Sequence, residues 1–165
     1  MIAYLIDPFV LQTTDGVIAM TGTPCITEIE HNGDFRQIYE LLSHPTHIVD
    51  TFQGVYLPDE DVIYVDDEGL FKGSDSWWLL HGFPNPIRGR GLVLGTDDQG
   101  DSTSPNISIE TLRRNIRIGS ANLDITADDH DFQGANPRGM LNFLPTHFAR
   151  YWGVKRWGAE GTLLA

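Results

Sequence analysis

Short apolar runs separated by turn residues fill most of this chain. Ile2–Ile6 is apolar and is closed by Asp7-Pro8, which predicts a strand followed by a turn. Val17–Met20 predicts a second, weaker strand. Cys25–Glu30 is extended in character, although Ile26 and Ile29 do not share a period-two face. The period then changes. Phe35, Ile38, Leu41 and Leu42 fall at helical spacing behind Asn32-Gly33-Asp34, where Asn32 or Asp34 can cap the first N–H groups. Pro45 limits that helix.

Extended patterning returns at His47–Phe52, Val55–Leu57 and Asp61–Val65. Asp66-Asp67-Glu68-Gly69 predicts a hairpin turn, with Gly69 suited to positive φ and Leu70–Lys72 beginning a return strand. Trp77–Leu80 is another apolar run. It meets a loop rich in breakers, Gly82 through Gly91, and Leu92–Leu94 then reads as a buried strand before the polar turn Thr96–Asp101. A second helix is expected from Ser108 as N-cap, with Glu110 in its first turn, Ile107 stapling onto Leu112, Leu112 and Ile116 on one face, and Gly119 as the stop. Arg113, Arg114 and Arg117 sit where the helix dipole favours cations.

Strands that do not alternate with helices favour an α+β fold over a doubly wound one. The expectation is a mostly antiparallel sheet covered on one face, with two main helices packed on it and a C-terminal aromatic/basic extension. Residues 1–119 would form the core domain. Residues 120–139 would form a polar linker or long loop, and residues 140–165 a short helical, aromatic extension in which Pro145 suits the first turn of a helix through Trp152.

Charge sharpens that division. The 165 residues carry 23 acids and 11 bases, a net charge of −12. Residues 1–119 hold 18 acids and 7 bases, whereas residues 134–165 hold Glu160 against Arg138, Arg150, Lys155 and Arg156. An acidic body repels phosphate backbones, so direct nucleic-acid binding is disfavoured and a basic protein partner is favoured. The N-terminus lacks the features of a signal peptide, and no apolar stretch approaches the length of a membrane span. The lone Cys25 cannot form an internal disulfide, which points to a cytoplasmic protein.

Several segments resemble a group of small phage, plasmid and bacterial proteins that form a domain of unknown function. They are Ala3–Pro8, Ile26–Glu30 with the Gly33–Leu42 helix, Val62–Leu70, and above all Pro86–Asp97 running into Ser104-Pro105. The resemblance covers residues 1–118. It implies a small accessory protein of mobile-element type and brings no catalytic residues with it.

Candidate sites divide by chemistry. Arg88-Gly89-Arg90-Gly91 is the best small-ligand candidate. Its glycines would let backbone N–H groups approach an anion, and Arg88 and Arg90 could fork onto phosphate. The plainer reading is a tight turn with two surface arginines. Trp77 and Trp78 are consecutive, so in a strand they point to opposite faces. Trp78, Phe148, Arg150, Tyr151, Trp152 and Trp157 form the interface candidate, because aromatics with arginine are typical of interface hot spots.

Other polar strings have plainer readings. Asp128–Asp131 reads as a solvated loop, Asp97–Asp101 as a turn without the ligands of a calcium loop, and His44-Pro45-Thr46-His47 as a surface loop. Asp59-Glu60-Asp61 and Asp66-Asp67-Glu68 read as exposed hairpin ends. No catalytic residue, metal ligand or cofactor is expected. The leading expectation is a non-enzymatic protein-binding module, a modulator of host machinery or nucleic-acid mimic. The alternatives are a binder of an anionic or nucleotide-like ligand at Arg88–Gly91 and an unrecognised enzyme. The opposite charges of body and tail also make a homodimer plausible.

Overall fold

The computed structural model describes residues 1–10, 25–69, 72, 77–81, 83 and 87–119. The expectations for Val17–Met20, Asp128–Asp131, the linker, the extension and its residues Phe148, Arg150, Tyr151, Trp152 and Trp157 lie outside them.

The fold is α+β with antiparallel sheets. Nine strands are described: β1 (Ile2–Ile6), β2 (Ile26–Glu30), β3 (Phe52–Tyr56), β4 (Asp61–Asp66), β5 (Trp77–Leu80), β6 (Ile87–Arg88), β7 (Gly91–Thr96), β8 (Ser102–Thr103) and β9 (Ile116–Gly119). The helices are α1 (Phe35–Leu42) and α2 (Ile109–Arg114). The large sheet runs β2-β1-β7-β4-β3, with β8 pairing β7 beyond the polar turn, and a second sheet runs β6-β5-β9. Every described pairing is antiparallel.

Period-two alternation divides the core. Tyr4 and Ile6 of β1, Ile63 and Val65 of β4, and Val93 of β7 face one way. They pack on Trp78, Leu80 and Ile118 of the second sheet and on Ile109 and Leu112 of α2. Ala3, Leu92 and Leu94 face the other way, onto Ile38 and Leu42 of α1. Central strands buried on both faces carry near-continuous apolar runs, as Val62–Val65 and Leu92–Leu94 do. The large sheet is therefore covered on both faces, not on one. The missing layer was the second sheet, whose strands β5 and β9 are four residues each.

Local corrections follow from tertiary pairing. Asp34 caps α1, its side chain accepting from Arg36 N at 2.9 Å, but Phe35 in the expected apolar stripe is 61% exposed. Ser108 caps α2 through Thr111 N at 3.2 Å. That helix stops at Arg114, and Ile116 belongs to β9 opposite Leu80. Pairing with β5 overrides the helical spacing. β4 forms its hairpin with β3 across Pro58–Glu60, and its other neighbour is β7, not a strand after Gly69.

Candidate functional site

Three of the segments that carry the family resemblance meet at one end of the large sheet. They are Asp7-Pro8 after β1, Asp66–Gly69 after β4, and Arg88–Gly91 before β7. The loop after α1, with His44 and His47, closes the group.

Asp66 is the hub. Its Oδ2 accepts from His47 Nε2 at 2.7 Å and from Lys72 Nζ at 2.7 Å, and its Oδ1 accepts from Glu68 N at 2.9 Å. Lys72 Nζ also donates to Ile48 O at 2.6 Å. The His47 and Asp66 side chains are 0% and 1% exposed. Burial holds the His47 pKa below the ordinary imidazole value. The hydrogen bond and charge of Asp66 oppose that shift, while the charges of Lys72 and Arg88 add to it. The ring is therefore neutral at neutral pH, and its contact with Asp66 is a hydrogen bond; the ion pair there is Lys72–Asp66. Donation from Nε2 leaves Nδ1 as the acceptor nitrogen, and among the described residues Nδ1 meets no hydrogen-bond partner.

His47 reaches this position through a two-residue turn. His44 N donates to His47 O at 3.0 Å and His47 N to His44 O at 2.8 Å, with Pro45-Thr46 between. His44 stacks on Phe9, with ring centroids 3.9 Å apart and planes 4° from parallel. The surface-loop expectation fails for His47, which is buried, and holds only for the exposed Pro45 and Thr46.

The Arg88–Gly91 turn wraps this core. Gly89 has φ +83°, and a Cβ there would stand 2.7 Å from His47 Nε2, so only glycine fits. Its carbonyl accepts from Trp78 Nε1 at 2.9 Å. A Cβ at Gly91 would stand 2.8 Å from Trp78 Cζ2. Arg90 donates from one terminal nitrogen to Ser43 O at 2.6 Å, and its other lies 3.0 Å from Asp7 Oδ2. The space beside both glycines is thus filled by His47 and Trp78, and Arg90 is engaged within the chain. This arrangement suits a fastening that locks β1, α1, β4 and β7 together more than an open anion cradle. Chemically, an imidazole oriented by a carboxylate is a general-base arrangement. Here it is sealed from solvent.

Trp77 and Trp78 are both buried, at 2% and 0% exposure. Trp78 packs in the core beside Leu80 and Ile118 of the second sheet. Cys25 is buried too, and burial, with the Asp7 charge, pushes its thiol pKa up, away from nucleophilic character. The acidic clusters split. Asp59, Glu60, Asp67 and Glu68 are exposed as expected, but Asp61 and Asp66 are buried. Asp61 accepts from Asn106 N at 2.9 Å, Asn106 Nδ2 at 3.2 Å and Ile107 N at 2.7 Å. Among the described residues no group of three or more His, Cys, Asp and Glu is arranged to hold a metal ion. No described helix is long and apolar enough to cross a membrane.

The surface formed by the described residues is one-sided in charge. Glu28, Glu30, Glu40, Asp50, Asp98, Asp101 and Glu110 are exposed in addition to the four hairpin-end acids. The exposed bases among residues whose side chains are described are Arg36 and Arg114. Arg113, half-buried, donates to Ile26 O at 2.7 Å, and Lys72 and Arg90 are occupied as above.

The chain is similar to the uncharacterized protein y4iR of Sinorhizobium fredii (strain NBRC 101917 / NGR234). The two are 28% identical over 143 residues, which cover 85% of this chain and 76% of that protein. That share exceeds what residues 1–118 can supply, so the likeness continues past the stretch that carries the resemblance. No family model matches the chain. No solved structure matches it.

Proposed function

We propose that this protein is a non-enzymatic binding module that engages a basic protein partner through its acidic surface. The observation behind this reading is the imbalance of exposed charge. Among the residues whose side chains are described, eleven exposed Asp and Glu stand against exposed Arg36 and Arg114, while Lys72, Arg90 and Arg113 are engaged in contacts inside the fold. Exposed carboxylates in such excess create a negative field that raises the association rate of a basic partner and weakens as salt is added. A modulator of host machinery that offers carboxylates where a partner expects phosphates is the sharper form of the same reading. The mobile-element character implied by the resemblance suits it.

Native mass spectrometry of the full chain, isolated gently from its own cells, tests the proposal. The expected result is added mass of protein size, from a basic protein that dissociates as ionic strength rises. A small adduct that Arg88→Ala abolishes would replace this reading with an anion site. A chain that travels alone would remove both.

A further inference from the structure

The two outer strands of the large sheet are finished differently, and the difference locates a docking site. Asp7 N donates to Cys25 O and His31 N to Met1 O, so odd-numbered residues of β2 turn their backbone groups toward β1 and Ile26, Glu28 and Glu30 turn theirs outward. That edge is guarded. Arg113 occupies Ile26 O, and Glu28 and Glu30 place charge on the remainder.

Among the described residues β3 has no such guard. Leu57 N donates to Asp61 O at 2.8 Å and Asp67 N to Thr51 O at 3.1 Å, so residues 51, 53, 55 and 57 turn toward β4. Phe52, Gly54 and Tyr56 then direct their N–H and C=O groups outward, and among the described residues none of these groups meets a protein partner. Residues 51–57 carry no charge, and Tyr56 is 74% exposed. A row of unpaired donors and acceptors on an uncharged strand is a template for strand addition.

Charge selects the occupant. Exposed Asp50 and Asp67 lie at the start of β3, and exposed Asp59 and Glu60 at its end. A second copy of this chain pairing antiparallel through β3 would bring the Asp50 end of one against the Asp59-Glu60 end of the other, acid facing acid. We infer that the β3 edge accepts an extended segment of another protein, uncharged at its centre and flanked by lysine or arginine on both sides, as a further antiparallel or parallel strand. Main-chain pairing to Phe52, Gly54 and Tyr56 would fix the segment in place, and the flanking carboxylates would steer and orient it. This inference rests on the acidic-surface reading and names the surface.

The test uses the full chain, labelled for amide NMR, and the peptide Lys-Lys-Val-Thr-Val-Thr-Val-Lys-Lys. At low salt the amides of Phe52, Gly54 and Tyr56 are expected to shift and to exchange more slowly, while those of Gln53 and Val55, already paired with β4, change little. The same peptide with its β3-facing amides N-methylated is expected to bind at least about tenfold more weakly. Tyr56→Pro removes an outward N–H together with the exposed phenol ring, at a position where an edge strand tolerates proline, and is expected to weaken the unmodified peptide about as much. The N-methylated peptide keeps the test valid if that variant folds poorly. Binding that shifts amides elsewhere and ignores N-methylation would overturn the β3 assignment and leave the acidic-surface reading standing. No binding at low salt by this peptide would overturn both.

Discussion

The two ends of β4 each bury one carboxylate, and they satisfy it in different ways. Asp61, at the start, receives three amide N–H groups, two from the backbone at Asn106 and Ile107 and one from the Asn106 side chain. None of those donors titrates. Asp66, at the other end, receives an imidazole, an ammonium and one backbone N–H. Both acids fasten a distant loop to the central strand. The first does so with fixed dipoles and the second with groups whose charge depends on pH. The same structural task therefore responds differently to solution conditions at the two ends.

Removing each hub gives the largest expected effects. Asp66→Ala leaves the buried His47 Nε2–H without an acceptor and Lys72 without its counter-ion, at a cost of about 3 kcal/mol. Asp61→Ala leaves N–H groups that are only partly buried, where water can substitute, and costs about 2 kcal/mol. Urea unfolding of the two variants checks the order. A larger loss for Asp61→Ala would mean that fixed dipoles, not the mixed charged cluster, dominate at β4.

Proton linkage separates the two ends more directly. The folded-state pKa of His47 lies below the ordinary 6.5, so between the two values the unfolded chain binds a proton that the folded chain does not. Stability is thus fully present above pH about 6.5 and declines as pH falls toward the folded value. Buried His31 is shifted in the same direction, by burial and then by the N-terminal charge, so it adds to the decline. His47→Gln is expected to shrink the slope and leave the His31 share, as read from unfolding midpoints across the acid side of neutrality. An unchanged slope would show that His47 does not carry the linkage.

Lys72 offers a finer probe of the same end. Its side chain is 26% exposed, so Lys72→Met should cost only about 1 kcal/mol. Loss of its charge should also move the His47 pKa upward, since that charge is one of the causes holding it down. An NMR titration of the His47 ring reads the direction, and a downward move would contradict the assigned geometry.

What sequence patterning makes legible follows from these contacts. The α+β class, α1 and the buried character of Leu92–Leu94 are local properties, written in period and caps. The three-stranded second sheet is not, because Ile116–Gly119 continues a helical spacing and becomes a strand only when β5 lies beside it. The polar cluster is less legible still. His47 and Asp66 are nineteen residues apart in sequence and meet only after α1 and β4 are packed. Acids next to turns look solvent-exposed, and four of the six in the two hairpin clusters are. The alternation of β4 places Asp66 on the same face as Val62 and Tyr64, and Asp61 on the face of Ile63 and Val65, which is a readable hint that both point inward while Glu60, outside the strand, does not.

The smallest expected effect lies beside Asp61 and has two signs. Asp59 and Glu60 adopt φ of +62° and +65°, the left-handed region, in the loop that joins β3 to β4. Asp tolerates that region, but Glu does so only at a cost of about 1 kcal/mol. Glycine would relieve the strain while losing more entropy on folding, so Glu60→Gly should stabilise the fold by about 0.5 kcal/mol. The same change removes one of the carboxylates that flank the β3 edge, so affinity for the lysine-flanked peptide should fall about twofold at low salt and converge with wild type as salt rises. Thermal unfolding and a salt series of peptide titrations read the two signs independently. A gain in stability with a loss of binding would mean that Glu60 is kept in a strained conformation for the sake of its charge. A loss of stability would mean that its side chain supports the hairpin, and the strain would then need no partner to explain it.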